Sequence, residues 1–305
     1  MYDVIILGAG PAGLTAALYA ARGKLKSLVI TGPMVGGQIA LTYQIDNYPG
    51  FPEGLTGPEL SDRFKAHAEK FGAEFIEAEA TSVDLASNPY KAWVGDRVFD
   101  TSSLIVATGM THRGLGVQGE DRLMGRGVFV CATCDALLYE DRKVVVVGGG
   151  DSALQEALDL AKFASEVTIV HRREELRACR CLTDRALIEP RIKFLYSTVV
   201  EEILGEKRVQ GVRLRDLKTG ELKVVDTDGV LLAIGWNPNT GLLRGEIEMN
   251  DSGYPKTEGV KTSKPGVFVA GDLIDRNYRQ VVTSCGSGCA AAIEAIRWLE
   301  AQPSH

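Results

Sequence analysis

The chain contains two copies of one local pattern, a buried strand that runs into a glycine-rich turn and then into a helix. The strands lie at residues 4–7 and 144–147, and each is matched later by a second apolar strand, at residues 104–106 and 231–234. The turn positions are Gly8, Gly10 and Gly13 in the first copy and Gly148, Gly150 and Ala153 in the second. Continuous apolar strands alternating with helices are typical of covered parallel sheets, so the duplication predicts two Rossmann-like α/β domains.

Each turn has features of a dinucleotide site. The first glycine allows a tight turn, the second lets backbone N–H groups approach a pyrophosphate, and the third position sets how closely the helix packs on the strand. The N-terminus of the helix adds partial positive charge toward the phosphates. A glycine turn without a ligand is the alternative, and finding two copies in the correct strand–helix context argues against it.

The two copies differ where the ribose would lie, about twenty residues past the turn, where an acid binds a 2′-hydroxyl or an arginine binds a 2′-phosphate. The second copy has a basic cluster there, consisting of His171, Arg172, Arg173 and Arg177. This cluster predicts NADPH, because the planar guanidinium group suits a phosphate. The alternatives are a solvated strand end or pairing with Glu174 or Glu175. The first copy ends its strand on Thr31, with neither acid nor arginine, which predicts a different dinucleotide held partly by other segments.

Two cysteines, Cys131 and Cys134, precede the second glycine turn, and Asp135 follows them directly. A Cys-x-x-Cys beside a βαβ pattern indicates a redox dithiol that closes a small disulfide. The neighbouring carboxyl group would supply a proton, and its alternative role is to cap the helix that begins at Ala136. A zinc site is the rival use of the six cysteines, but only residues 131/134 and 285/289 approach zinc spacing, so no metal is expected.

Length and charge limit the remaining possibilities. A chain of 305 residues predicts two domains, and a net charge of −6 without a basic block argues against nucleic acid and membrane surfaces as partners. The N-terminal residues form a strand pattern rather than a signal peptide, and no apolar run approaches the ~20 residues of a membrane span. We therefore expect a cytoplasmic protein, in which a disulfide is more often catalytic than structural.

With these features in place, the chain resembles the low-molecular-weight, bacterial-type thioredoxin reductases, which are class II pyridine nucleotide-disulfide oxidoreductases. The resemblance covers essentially the whole sequence, and its further motifs are residues 36–38 (Gly-Gly-Gln), 47–50 (Asn-Tyr-Pro-Gly), 107–109 (Ala-Thr-Gly), 271–272 (Gly-Asp) and 278–280 (Tyr-Arg-Gln). It implies two Rossmann-like domains of three-layer ββα architecture, the second inserted in the first. Residues 1–112 and 241–305 would form a discontinuous FAD domain, and residues 113–240 an NADPH domain that carries the dithiol.

The resemblance also implies the residues of each site. FAD would be held by Gly8, Gly10, Gly13, Thr31, Gly37, Gln38, Asn47, Val83, Ala107, Gly109, Gly271, Asp272, Arg279, Gln280 and Val281. NADPH would be held by Gly148, Gly150, Ser152, Ala153, His171, Arg172, Arg173 and Arg177. Cys134 would be the thiol nearer the flavin, Cys131 the thiol that attacks the substrate, and Asp135 the acid that protonates the leaving thiolate.

The implied function is electron transfer by a homodimer from NADPH through FAD and the Cys131–Cys134 disulfide to thioredoxin. Two departures from the family pattern leave alternatives open. Leu137 and Leu138 stand where the family often has two phenylalanines, so another disulfide protein is an alternative acceptor. Cys179 and Cys181 follow the arginines where the family usually has no cysteine, and ferredoxin is the alternative donor. The functional alternative for these two cysteines is a second dithiol or a redox gate on NADPH binding. We expect them to be ordinary thiols at the start of a helix, because side chains two residues apart on a helix do not face each other.

The order of the segments also predicts a movement. The dithiol and the nicotinamide site fall in the same domain, and both have to reach the flavin. A hinge at residues 110–116 and 235–241, which are rich in glycine and polar residues, would let them do so in turn. We predict that a single crystal form shows either the nicotinamide or the dithiol against the flavin, but not both.

Overall fold

The structure is a computed structural model, and it describes residues 1–302. The chain divides into two compact units, Met1–Thr111 with Pro238–His305, and His112–Asn237. The family resemblance implied domain boundaries after residues 112 and 240. In the structure the boundaries between the two units fall after residues 111 and 237. The assignment of FAD to one unit and NADPH to the other stays a prediction.

Seventeen strands and seven α-helices are present in the described part of the chain. The strands are β1 Tyr2–Leu7, β2 Ser27–Ile30, β3 Glu74–Ile76, β4 Ser82–Asp84, β5 Tyr90–Val94, β6 Arg97–Val106, β7 Met110–His112, β8 Val128–Phe129, β9 Lys143–Val147, β10 Glu166–Val170, β11 Ile192–Leu195, β12 Thr198–Leu204, β13 Gly211–Asp216, β14 Leu222–Asp226, β15 Gly229–Leu232, β16 Trp236–Pro238 and β17 Val267–Val269. The helices are α1 Pro11–Arg22, α2 Gly57–Glu69, α3 Glu120–Leu123, α4 Ala132–Asp135, α5 Asp151–Leu160, α6 Arg180–Ile188 and α7 Val281–Glu300. Short 3₁₀ helices lie at Gly37–Leu41, Ala136–Tyr139, Gly241–Leu243 and Gly271–Leu273.

The first unit is built on a seven-stranded sheet with the order β3-β2-β1-β6-β5-β4, in which β17 also pairs with β6. The strands β1, β2, β3, β6 and β17 are parallel, and β4 and β5 add an antiparallel edge. Helices α1 and α7 pack on one face through small residues. A Cβ at Gly288 of α7 would lie 2.1 Å from the carbonyl oxygen of Ala12, so the two helices approach more closely than a larger residue allows.

The second unit has three layers. Its middle layer is a five-stranded parallel sheet with the order β11-β10-β9-β15-β8. Buried residues of α4 and α5, including Ala132, Leu154 and Ala157, pack on one face. The antiparallel sheet β12-β13-β14 covers the other face through residues such as Ile203 and Leu214. The ββα architecture predicted from the sequence is therefore confirmed.

The two segments that connect the units, β7 and β16, pair with each other as a two-stranded sheet. Within the second of these units the ring of His112 on β7 lies edge-on to Trp236 on β16, with centroids 6.0 Å apart. In the described residues, none of the helices is both long and apolar enough to cross a membrane.

Candidate active site

The first glycine turn joins β1 to α1, and two of its glycines are required by the fold itself. A Cβ at Gly13 would lie 1.9 Å from the carbonyl oxygen of Gly8. A Cβ at Gly8, which has φ +102°, would lie 2.3 Å from the carbonyl oxygen of Ala107 on the strand β6 side. Gly10 differs, because the nearest atom to its Cβ position is the Gly36 oxygen at 4.0 Å. The space above Gly10 is open, as a pyrophosphate cradle requires.

Segments distant in the sequence meet at this turn. The N–H of Gly36 donates to the carbonyl of Ala9 at 2.7 Å, and the N–H of Ala9 donates to the carbonyl of Thr31 at 3.0 Å. The Cβ position of Gly37 lies 3.4 Å from the Cα of Gly10. Residues that the sequence assigned to FAD from three separate segments are thus brought to one place.

The C-terminal segment of the chain reaches the same turn. The Cβ position of Gly271 lies 3.1 Å from the Cβ of Ala12, in the first turn of α1. Its neighbour Asp272 accepts a hydrogen bond from the hydroxyl of Ser284 at 3.1 Å, and burial raises the pKa of the Asp272 carboxyl. Gly271 and Asp272 therefore lie where α1 and α7 begin.

Three of the other residues assigned to FAD make side-chain hydrogen bonds within the first unit. The side-chain amide of Asn47 donates to Gln280 Oε1 at 3.3 Å, which joins two predicted site residues 233 positions apart. The amide of Gln38 donates to the carbonyl of Met110 at 3.2 Å, one residue after Gly109. Arg279 and Val281 flank Gln280, and α7 starts at Val281.

Val83 lies apart from this group. It is buried on β4, which the sheet order separates from β1 by β5 and β6. Ala78, a few residues earlier, accepts a hydrogen bond from the N–H of Gly32 at 3.0 Å. The segment before β4, rather than Val83 itself, therefore lies beside the end of β2.

The second glycine turn joins β9 to α5 with the same local design. The Cβ of Ala153 lies 2.8 Å from the Cβ position of Gly148, so the third position of the motif packs the helix against the turn. Gly150 has no atom within 4 Å of its Cβ position. Ser152 is exposed in the first turn of α5. The space at Gly150 is therefore open in the same way as at Gly10.

The basic cluster is attached to this second turn. The N–H of Arg177 donates to the carbonyl of Gly149 at 2.7 Å, and the ring of buried His171 lies 2.3 Å from the Gly149 Cβ position. Burial lowers the pKa of His171, and the nearby Arg177, Arg173 and Arg172 lower it further. His171 is therefore a neutral support beneath the turn rather than a fourth cation.

The three arginines of the cluster, Arg172, Arg173 and Arg177, are exposed, and within residues 1–302 they form no ion pair with a carboxylate. The ion pair of Glu174 is instead with Lys218, at 2.7 Å. Pairing with Glu174, the alternative interpretation of the cluster, is thus not observed. Three guanidinium groups remain available to an anion.

The cysteine pair forms a disulfide across the first turn of α4, with a Cα–Cα distance of 5.4 Å between Cys131 and Cys134. Cys131 is the N-cap of α4, and its Sγ accepts a hydrogen bond from the N–H of Cys134 at 3.2 Å. Cys134 is exposed and Cys131 is half-buried. The pair is therefore fixed on a rigid turn at the edge of the second unit's core.

Asp135 follows the disulfide, and burial raises its pKa from 3.8 to about 7. It occupies the N-cap position of the 3₁₀ helix Ala136–Tyr139, but its side chain makes no capping hydrogen bond there. The capping role that the sequence allowed is therefore not observed. A carboxyl group with a pKa near neutrality can exist as the acid under physiological conditions and donate a proton.

Both turns fit the cofactors that the sequence implies. The test is the open space at Gly10 and Gly150, which a Cβ would fill, beside helix N-termini without side-chain caps. At the second turn the three arginines, which have no acidic partner among residues 1–302, add the charge that a 2′-phosphate needs.

Comparison with known proteins identifies the family. The sequence model of the pyridine nucleotide-disulphide oxidoreductase family matches residues 2–288 of this chain. The chain belongs to this family. A thioredoxin reductase from Mycolicibacterium smegmatis is 48% identical over 304 residues, covering 99% of this chain and 98% of its own length. A bifunctional thioredoxin reductase/thioredoxin from Mycobacterium leprae is 45% identical over 98% of this chain and 66% of its own length. The crystal structure of thioredoxin reductase from Streptococcus pyogenes superimposes with a TM-score of 0.94 at 38% identity, covering 99% of both chains.

Sequence reasoning missed two carboxylates that support the sites of this oxidoreductase. Glu156 on α5 accepts a hydrogen bond from the N–H of Ala132, beside the disulfide, at 3.2 Å. Asp275 accepts hydrogen bonds from the loop that leads to Arg279. No sequence motif marks either residue. A carboxylate that lies near backbone N–H groups can be found only once the fold is known.

The remaining cysteines have no metal partner set in the described residues, where no cluster of three or more His, Cys, Asp or Glu side chains could hold an ion. Cys179 is the N-cap of α6 and Cys181 lies in its first turn, both exposed and free. Their position at the start of a helix agrees with the prediction. Cys285 is buried, and its thiol contacts the carbonyl of Pro11 at 3.8 Å.

Proposed function

We propose that this chain reduces the disulfide of thioredoxin, with NADPH as electron donor, FAD as cofactor and Cys131–Cys134 as the redox centre. The observation that carries the proposal is the disulfide on α4 with Asp135 beside it, its pKa raised to about 7 by burial. A neighbouring acid has no role beside a structural disulfide, whereas each thiol–disulfide exchange expels a thiolate that such an acid can protonate.

When bound, NADPH and FAD would supply the two electrons that reduce the Cys131–Cys134 disulfide to a dithiol. The Cys131 thiolate then attacks one sulfur of the substrate disulfide, so that a mixed disulfide forms and the substrate S–S bond breaks. Asp135 protonates a leaving thiolate. The Cys134 thiolate next attacks Cys131 Sγ, which releases the second substrate thiol and restores the disulfide on α4.

The choice of NADPH as donor is supported by the basic cluster at the end of β10. Three arginines without an acidic partner in the described chain lie beside a glycine turn whose central position is open. Ferredoxin would need neither a 2′-phosphate site nor an open glycine turn. We assign Gly148, Gly150, Ser152, Ala153, His171 and the arginines to NADPH, and the convergent residues of the first unit to FAD.

The choice of thioredoxin as acceptor is supported by the relatives, which are thioredoxin reductases. One of them is a bifunctional thioredoxin reductase/thioredoxin, so its name joins reductase and acceptor in one chain. Leu137 and Leu138, two and three residues after Asp135 in the sequence, are exposed apolar side chains. They offer an apolar contact to a protein substrate even though the aromatic rings usual in the family are absent.

The direct test is turnover with each donor and acceptor in turn. We expect NADPH oxidation in the presence of oxidised thioredoxin, and no reduction of thioredoxin when reduced ferredoxin is the donor. The Cys134→Ser variant should lose at least about 10³-fold in thioredoxin turnover with NADPH. Full thioredoxin turnover by that variant would disprove the role of the dithiol. NADPH oxidation with another disulfide protein, but not with thioredoxin, would retain the chemistry and replace the acceptor.

We further propose a homodimer that works in the cytoplasm and binds neither nucleic acid nor membrane. The support is the family resemblance, together with the net charge of −6 and the lack of a basic block in the sequence. Sedimentation equilibrium gives the assembly directly, and a mass near that of one 32.9 kDa chain would contradict the dimer.

A further inference from the structure

The loop before α7 is folded around one carboxylate, that of Asp275. Its Oδ1 accepts hydrogen bonds from the N–H groups of Asn277 at 3.1 Å and Tyr278 at 2.8 Å. Its Oδ2 accepts from the N–H of Arg279 at 3.3 Å and from the hydroxyl of Thr283 at 2.8 Å. Both oxygens are thus used, each by two donors, and the loop is tied to the first turn of α7.

This arrangement determines the backbone of two residues assigned to FAD. Arg279 has φ +50°, in the left-handed region that non-glycine residues rarely adopt, so its conformation has to be held by its surroundings. The next residue, Gln280, donates its N–H to the Thr283 hydroxyl at 3.3 Å. Its side-chain oxygen accepts a hydrogen bond from Asn47 at 3.3 Å.

We propose that Asp275 is a positioning residue for the flavin site, which acts by holding Arg279 and Gln280 in the conformation that binds FAD. The proposal rests on the function proposed above, in which those two residues contact the cofactor. Removing the carboxylate would release the left-handed turn at Arg279 and the Thr283 contact together. The free protein would then have to order this loop when FAD binds, and FAD affinity would fall.

Two pairs of variants separate this role from general stability. Asp275→Asn keeps one oxygen for Asn277 and Tyr278 but places an amide donor against the N–H of Arg279 and the hydroxyl of Thr283. Asp96→Asn removes the same charge from an exposed turn of the same unit and is its control. Thr283→Val removes the hydroxyl, and Thr283→Ser restores it. The Thr283 pair decides the matter if Asp275→Asn does not fold.

The measurements are the dissociation constant of FAD, from flavin fluorescence on reconstitution of the apoprotein, and the melting temperatures with and without FAD. We expect FAD to bind about 10- to 100-fold more weakly to Asp275→Asn, and more weakly to Thr283→Val. Asp96→Asn and Thr283→Ser should stay within about twofold of the wild type. The rise in melting temperature on adding FAD should be smaller in Asp275→Asn and Thr283→Val than in the wild type.

Unchanged FAD affinity in both Asp275→Asn and Thr283→Val would overturn the proposal. Equal falls in the melting temperature with and without FAD would also overturn it, since they would make Asp275 a stabilising residue only. A wild-type apoprotein that does not bind FAD at all would instead contradict the function proposed above, so the two failures are distinguishable.

Discussion

At the scale of single residues, burial gives Asp135 a chemistry that an exposed aspartate lacks. Its pKa is raised from 3.8 to about 7 because burial disfavours the ionised form. Below pH 7 the group is protonated and can donate to a leaving thiolate, and above pH 7 it is increasingly ionised and cannot. The acid that the reaction needs is therefore lost as the pH rises through about 7.

This predicts the pH dependence of thiol–disulfide exchange. The ratio of the wild-type rate to the Asp135→Asn rate should be greatest below pH 7 and fall by up to about tenfold per pH unit above it. The ratio is the useful quantity, because thiol ionisation accelerates both proteins as the pH rises. Rapid mixing of the reduced enzyme with oxidised thioredoxin between pH 5.5 and 8.5 measures it. A ratio independent of pH would exclude Asp135 as the acid.

The glycines of the first turn provide a second prediction at this scale. A Cβ fits at Gly10, whose nearest atom is 4.0 Å away, but not at Gly13, where it would meet the Gly8 oxygen at 1.9 Å. Gly10→Ala should therefore fold normally and lose FAD affinity by at least about tenfold, whereas Gly13→Ala should lose stability first. Urea unfolding of the apoprotein and FAD titration separate the two effects. Normal FAD binding by Gly10→Ala would place the pyrophosphate elsewhere.

At the scale of elements, α5 serves both the second glycine turn and the dithiol. It starts at that turn, and one face of it packs beneath α4, where Glu156 accepts a hydrogen bond from the N–H of Ala132. Ala132 is only 1% exposed, so water does not replace this acceptor. The helix therefore fixes the turn on which the cysteines lie.

Replacing Glu156 tests this arrangement. Glu156→Ala leaves a buried N–H without its acceptor and should lower the free energy of unfolding by about 1–3 kcal/mol. Glu156→Gln keeps an oxygen acceptor and should lose less than half of that. Urea denaturation of the two variants gives the difference. Equal losses would mean that the charge of Glu156, rather than its hydrogen bond to α4, is what matters.

The elements also show what the sequence could and could not predict. The strands and glycine turns were predictable because apolar runs and turn glycines are local signals. The strands β1, β6 and β9 contain the residues that the pattern assigned, whereas β15 covers Gly229–Leu232, two residues earlier than the predicted 231–234. The helix α5 ends at Leu160, where a hydrogen-bonded turn follows. The resemblance implied the second β layer of the ββα architecture, but the sequence pattern did not locate its strands β12, β13 and β14, because their pairing depends on tertiary context.

The candidate sites divide in the same way. The Cys-x-x-Cys pair, the glycines and the arginines were found because each has a spacing that chemistry requires. Glu156 and Asp275 were not, since a carboxylate that accepts hydrogen bonds from backbone N–H groups leaves no pattern. In the case of Glu156 the donor is 24 residues away.

At the scale of the whole molecule, the two candidate nucleotide sites belong to different units, and the dithiol shares a unit with the second. The connecting strands β7 and β16 are where the chain crosses between units. A rotation about these segments, which would bring the dithiol and the nicotinamide to the flavin in turn, stays a prediction from the sequence. The proposed mechanism requires that electrons from NADPH reach both FAD and the dithiol.

Anaerobic titration with NADPH tests that requirement most directly, with flavin absorbance as the readout. FAD and the disulfide each take two electrons, so the wild type should consume about two equivalents before the flavin stays bleached. Cys134→Ser should consume about one, and Cys179→Ser, which changes an exposed free thiol in the same unit, should match the wild type. Oxidised thioredoxin should then restore the flavin colour of the wild type and of Cys179→Ser, but not of Cys134→Ser. The same consumption by wild type and Cys134→Ser, or a flavin that NADPH does not bleach, would contradict the account.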